Sequence, residues 1–209
     1  MDRLIRYLIY SMLLTSCSSC ILLFPHKTFN RGDQSMLFSA NYNPALKNKL
    51  NINGIFTASP KTQGNYKFIL YEDGTFATIN NLSLSYNEEK SFFCLGGIYK
   101  IISDTLIIDE YTRDTYNTIE LNRYKYAILN RTTLKRITEE LFRTYGYKKI
   151  NVENDNYIYN FIDISILPSS YGVEIKSKKW MWADKQEWKE YMRQLKEYEA
   201  ARRKNQQPD

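Results

Sequence analysis

Side chains that could do covalent chemistry are few in this chain of 209 residues, and one thiol stands out by its setting. Cys17 follows Leu14-Thr15-Ser16, at the end of a short apolar run from Tyr7 that starts behind Arg3 and Arg6. A basic start, a short apolar core and small residues before a cut site describe a secretory signal. The other thiols are Cys20 and Cys94. An oxidising compartment would permit a disulfide between them, but Cys20 lies on an expected tether, so two unpaired cysteines are the preferred reading. Cys17 and Cys20 spell C-x-x-C without the strand-to-helix context of a redox motif. The sole histidine, His26, falls on the same tether. No spaced set of His, Cys, Asp and Glu has metal-ligand geometry. Asp109 and Glu110 are adjacent on an expected strand and therefore point to opposite faces, so they cannot act as one acid/base pair. No serine sits in a nucleophile elbow, and no glycine-rich loop could cradle a phosphate. The expectation is a protein that is not an enzyme and uses no cofactor and no metal.

Leu14-Thr15-Ser16-Cys17 resembles the lipobox of bacterial lipoproteins. The resemblance implies that residues 1–16 are a signal peptide and that Cys17 is lipidated at the mature N-terminus. The membrane is then a partner, through the lipid on Cys17. An uncleaved anchor running to Phe24 is the alternative, near the lower length limit of a membrane span. Either way the body lies in the cell envelope, outside the cytoplasm. In such lipoproteins aspartate after the cysteine favours inner-membrane retention; Ser18 stands here, which implies the outer membrane. The lack of acids after Cys17 departs from an acidic surface-export tag and implies a periplasm-facing anchor. The net charge of +6 then reads as a surface beside anionic membrane, with no nucleic acid partner.

Binding is the chemistry that remains. The chain carries 18 Tyr and 10 Phe, which suit pleated, half-buried surfaces. Tyr124, Tyr126, Tyr159 and Phe161, on expected strands, and Trp180 and Trp182, alternating around Met181, are the candidate contacts for a small apolar ligand, a glycan or a protein partner. Core packing is the competing use of all six. Lys178 and Lys179 flank the tryptophans.

These residues need a sheet to hold them. Residues 17–43 read as anchor and tether, and Arg31-Gly32-Asp33 within them as a loop. Pro44 to Leu50 reads as one or two helical turns, with proline at the start where its missing N–H costs little. From Ile52 the pattern has period two: Tyr66, Phe68 and Leu70 face one way, Lys67, Ile69 and Tyr71 the other. Asp73-Gly74 marks a tight hairpin, because glycine tolerates positive φ. Thr75–Ile79, Ile98–Ile102, Thr105–Tyr111, Tyr116–Leu121, Thr133–Ile137 and Tyr157–Ile166 read as further strands, with Tyr124, Tyr126 and Ile128 on one face. A bulge near Asn122-Arg123 is expected where the apolar parity slips. Asn80–Lys90 reads as a loop. A helix is expected over Glu139–Tyr145, and an extended segment over Val173–Trp182.

Asp184 and Glu187 resemble a capping box, and Trp188, Tyr191, Met192, Leu195 and Tyr198 form one apolar stripe of a terminal helix. That helix either packs on the body or binds a protein partner. The fold class is therefore mainly β: an antiparallel meander closed as a barrel, or stacked as a sandwich, with a signal helix before it and a C-terminal amphipathic helix after it. The barrel domain spans residues 44–183 and the helix with its tail 184–209.

Gly54-Ile55-Phe56, Asp73-Gly74-Thr75-Phe76, Gly97-Ile98-Tyr99, Asp104-Thr105-Leu106-Ile107 and Trp180-Met181-Trp182 resemble the lipocalin-like barrel lipoproteins of Bacteroidetes. The resemblance implies a barrel that binds, covers or scaffolds; Phe56 stands where lipocalins carry tryptophan. Asp104-Thr105-Leu106 also resembles an O-glycosylation site of such hosts, which implies modification at Thr105. The expected role is a non-enzymatic structural or interaction one, with a small-molecule or glycan-binding barrel as the alternative.

Overall fold

A computed structural model describes residues 37–39, 42–45, 48–52, 54–59, 66–79, 96–113, 119–143, 146–152, 157–164 and 167–205. Cys17, Cys20, His26, Arg31-Gly32-Asp33, the Asn80–Lys90 loop and Cys94 lie outside them, and so do the signal and most of the tether.

The strands are β1 (Gly54–Ala58), β2 (Lys67–Leu70), β3 (Thr75–Thr78), β4 (Gly97–Ile102), β5 (Thr105–Arg113), β6 (Ile119–Asn130), β7 (Thr133–Arg143), β8 (Gly146–Asn151) and β9 (Ile158–Asp163). They form one sheet in the order β6-β5-β4-β3-β2-β1-β9-β7-β8, and β6 also pairs with β7. That extra pairing closes eight antiparallel strands into a barrel and leaves β8 outside it. β7 serves both: Thr133–Lys135 pair with β9, while Thr138–Arg143 pair with β8 on the same side. The mainly β expectation holds, as a barrel and not a sandwich. The closed barrel is compatible with the lipocalin-like architecture.

β1 to β6 bury residues on both faces, because the barrel has an inner core and an outer one. Phe56, Phe68, Leu70, Phe76, Tyr99, Leu106, Ile108, Tyr124, Tyr126, Leu134 and Tyr159 fill the inside. Ile55, Ile69, Tyr71, Ala77, Ile98, Tyr111 and Leu121 face outward and are covered by Val173, Ile175, Met181 and Phe38. This two-sided burial corrects the parity slip. Leu121 belongs to the outer core and Tyr124 to the inner, so no bulge is needed at Asn122-Arg123. The register shifts lie later, at Lys125/Tyr126 and Ile128/Asn130.

The expected helix over Glu139–Tyr145 is also corrected. Thr138–Arg143 run on as strand, with β6 on one side and β8 on the other. Paired ladders on both edges outweigh a helix propensity worth only tenths of a kcal/mol per residue. Residues 173–182 are not extended either. Three 3-10 turns, Ser170–Gly172, Glu174–Ser177 and Lys179–Met181, wrap the barrel's outside. Lys176 pins this wrap to the β2–β3 turn through Asp73, 2.7 Å away. The described residues of the expected helical lead-in are not helical: Ala45 has φ +57°, and Asn48–Lys49 make a turn, while Leu46 and Lys47 lie outside the described residues.

The two ends of the barrel differ. At one end the hairpins are tight: Asp73-Gly74, Ser103-Asp104 and Arg131-Thr132. Gly74 has φ +82°, and the Tyr42 ring lies where its Cβ would be. The Tyr42 hydroxyl donates to the Tyr99 carbonyl, and Leu50 joins the inner core, so the N-terminal segment stoppers this end. At the other end the chain makes its longer connections, after Ala58, Thr78, Arg113 and Asn151.

Helix α1 (Lys185–Asn205) starts as expected, with Asp184 accepting from the backbone N–H groups of Gln186 and Glu187. Its first turns hold the body: Tyr191 packs on Trp182 and Tyr171, and the Trp188 indole donates to the Ser177 carbonyl. From Lys196 onward its residues are exposed, up to the last whose burial is described, Lys204. Among the described residues no helix is long and apolar enough to cross a membrane.

Candidate functional site

Among the described residues, the end with the long connections holds a polar cluster inside the barrel. β5, β6 and β7 supply its centre, because their register sets Glu110 opposite Asn122 and Tyr124 opposite Glu139. Tyr66 enters just ahead of β2, and Tyr157 just ahead of β9. Glu110 is 6% exposed and Asn122 7%. Hydrogen bonds from the Tyr124 hydroxyl and the Asn122 amide reach the Glu110 carboxyl; the Tyr66 hydroxyl approaches it without a well-formed hydrogen bond.

Burial dominates the electrostatics here. It pushes Glu110 up to about 7 against the hydrogen bonds from Tyr124 and Asn122 and the nearby Tyr66 hydroxyl, with the Glu139 charge adding to the rise. The Tyr66, Tyr124 and Tyr126 hydroxyls are raised too, first by burial and then by neighbouring acids. Arg136 is the cation of the cluster. It lies over the Tyr157 ring at 4.4 Å and the Tyr124 ring at 5.6 Å, and 3.8 Å from Glu139. Burial alone would lower its pKa, but the acidic groups of Tyr159, Tyr126 and Glu139 outweigh that and raise it. The Asn122 Oδ1, the Tyr126 hydroxyl and the Arg136 Nε are buried without a hydrogen-bond partner. An acceptor, a hydroxyl and a guanidinium N–H are therefore left unpaired among tilted and edge-on rings, beside a carboxyl that changes charge near neutrality and can donate or accept.

Below this cluster the barrel is filled by its own aromatic rings. Phe68 lies 5.4 to 5.9 Å from the rings of Phe56, Phe76, Tyr126, Tyr159 and Tyr66.

The six candidate contacts fall into two places. Tyr124, Tyr126 and Tyr159 come together inside, the first at the polar cluster and the other two bridging it to Phe68. Phe161 is also inside, edge-on to Phe56 at 5.4 Å. Trp180 and Trp182 are both outside, packed against the outer core. Trp180 meets Tyr111, whereas Trp182 sits between Phe38 and Tyr191 and donates its indole N–H to the Lys176 carbonyl. Both act as packing under the wrap, which is the competing use. Thr105 is half-buried as the first residue of β5, and the exposed tip is Ser103-Asp104. Sequence reasoning missed Glu110, Asn122 and Arg136 as one site. Adjacency of Asp109 and Glu110 correctly separated their faces, but what Glu110 meets depends on register.

Glu110 makes stability depend on pH with a definite sign. Its pKa rises on folding, so the folded state binds the extra proton, and stability falls as pH rises from about 4.5 to about 7. Glu110→Gln is expected to flatten that part of the urea-midpoint profile. An unchanged slope would show that Glu110 is not the group responsible.

No family model, no curated protein and no solved structure matches this chain.

Proposed function

We infer that this chain is a lipid-anchored envelope protein, held at the outer membrane through Cys17 and facing the periplasm, whose barrel has a non-enzymatic interaction role. The observation that supports the role is the filled waist: the rings around Phe68 are spent on packing, which leaves the protein's surfaces and its polar end for contact with partners. The address rests on Leu14-Thr15-Ser16-Cys17 behind a basic, apolar start. The tether joins the body at Phe38, which pairs in parallel with Trp182. About twenty residues separate Cys17 from that point, so the barrel can stand up to about 70 Å from its lipid.

A second reading, a small-molecule or glycan-binding barrel, is favoured by the unpartnered Asn122 Oδ1, Tyr126 hydroxyl and Arg136 Nε. Native mass spectrometry of the chain taken from its host envelope separates the two. A retained small molecule establishes ligand carriage and names its class; a bare mass with a co-purified protein supports the interaction role. The address has its own test. Cys17→Ala is expected to abolish labelling with a fatty-acid probe and release the chain from the membrane fraction, and labelling that persists would overturn it.

A further inference from the structure

β8 is the strand the barrel does not use. Among the described residues it ends the sheet and pairs with β7 alone, and five of its six residues are exposed. The N–H of Val152 bonds to the Ile137 carbonyl, which fixes the alternation along β8. The N–H groups of Gly146, Lys148 and Ile150 turn toward β7, and those of Tyr147, Lys149 and Asn151 turn to the open edge. An open edge is a template for another strand, and lysines on it are a common guard against wrong pairing.

The guard here is selective. Among the described residues neither Lys148 nor Lys149 makes an ion pair within 4 Å; Glu140, directly opposite Lys149 on β7, is bonded to Lys125. Directly opposite residues of an antiparallel pair both face the partner strand or both face away, so a second copy laid on β8 near its centre would set Lys149 against Lys149 or Lys148 against Lys148, like charges directly opposite. An acidic strand would meet both lysines with opposite charge. The neighbours on β8 extend the pattern, because Tyr147 is 57% exposed and Ile150 half-buried, one on each side of the lysine pair. The complementary antiparallel strand reads apolar-acid-acid-apolar.

We propose that β8 captures an extended acidic segment of a partner protein by strand addition, with main-chain hydrogen bonds at Tyr147, Lys149 and Asn151 and ion pairs at Lys148 and Lys149. This names a partner class for the interaction role and does not depend on the lipid address, which the Cys17 substitution tests separately.

The experiment is fluorescence anisotropy on the full chain in dodecyl maltoside. The probes are two labelled octapeptides, one centred on Val-Glu-Glu-Val and one on Val-Lys-Lys-Val. The acidic peptide is expected to bind at least about tenfold more tightly than the basic one, and less tightly as salt rises. Lys148→Glu/Lys149→Glu should invert the preference. Lys149→Pro removes an outward N–H and leaves the β7 ladder intact, so it should cost about tenfold more than Lys149→Ala while circular dichroism stays unchanged. Failure of the acidic peptide to bind, equal binding of both peptides, or indifference to Lys149→Pro would each overturn the proposal. Self-association that Lys149→Pro abolishes would also overturn it, in favour of a second copy as the occupant.

Discussion

Arg123→Met is expected to destabilise the fold by about 3–5 kcal/mol, among the largest effects of any single substitution in this chain. Asp109 is fully buried and Arg123 nearly so, and the guanidinium grips both carboxylate oxygens, at 2.6 and 2.8 Å. The pair sits on the outer face of β5 and β6, in a cross-strand row running Ile98, Asp109, Arg123, Glu140. The hydrogen bond from Arg123 to Asp109 raises the guanidinium pKa against its own desolvation, with the charges of Asp109 and Glu140 helping. Removing the arginine strands a carboxylate where water cannot repay its lost hydration. Asp109→Leu/Arg123→Met removes both charges and should recover most of the loss. Urea midpoints of the two variants decide it: a single-variant loss below about 1 kcal/mol would show that the pair is solvated in practice.

Phe68→Ala is expected to cost a similar amount, about 3–5 kcal/mol. Phe68 has no exposure and touches rings from β1, β3, β6 and β9, so few neighbours could move in to refill the space. The loss combines transfer of the ring with the cavity left behind. Because Leu70, Phe76 and Leu106 help line the inner core, the cavity should stay apolar and accept benzene, as engineered apolar cavities do. A rise in melting temperature on adding benzene to the variant, absent in the parent, checks this. A loss near 1 kcal/mol with no benzene effect would mean that the barrel collapses around the missing ring. The substitution also probes the role: a waist that must be emptied by mutation before it binds an apolar guest is a waist built for packing.

Much of the local structure was legible. The alternation at Tyr66, Phe68 and Leu70 assigned the correct inner face, and Asp73-Gly74 made the expected hairpin. The stripe through Trp188, Tyr191 and Met192 together with Asp184 placed the terminal helix. Three segments were misread for one reason, that they have long-range partners. Thr138–Arg143 is strand because two ladders hold it. Residues 173–182 turn because they must follow the curved outside of a barrel. Leu121 looked out of phase because a second core covers the outer face. At the polar site, Tyr124, Tyr126 and Tyr159 were recognised as aromatic candidates, whereas Glu110, Asn122 and Arg136 were not, since no short spacing links them.

By itself the sequence determined the strand alternation, the hairpin turns, the terminal helix and the separation of Asp109 from Glu110. All of these follow from period-two backbone geometry, positive φ at a glycine, or side-chain capping, and each acts within a few residues. The tertiary structure alone decided the β6–β7 closure, the register that opposes Asp109 to Arg123, the gathering of Tyr66, Glu110, Asn122 and Arg136 at one end, and the strand left over at β8. Those depend on which distant segments pair, and pairing free energy belongs to the assembled sheet rather than to any stretch of chain within it.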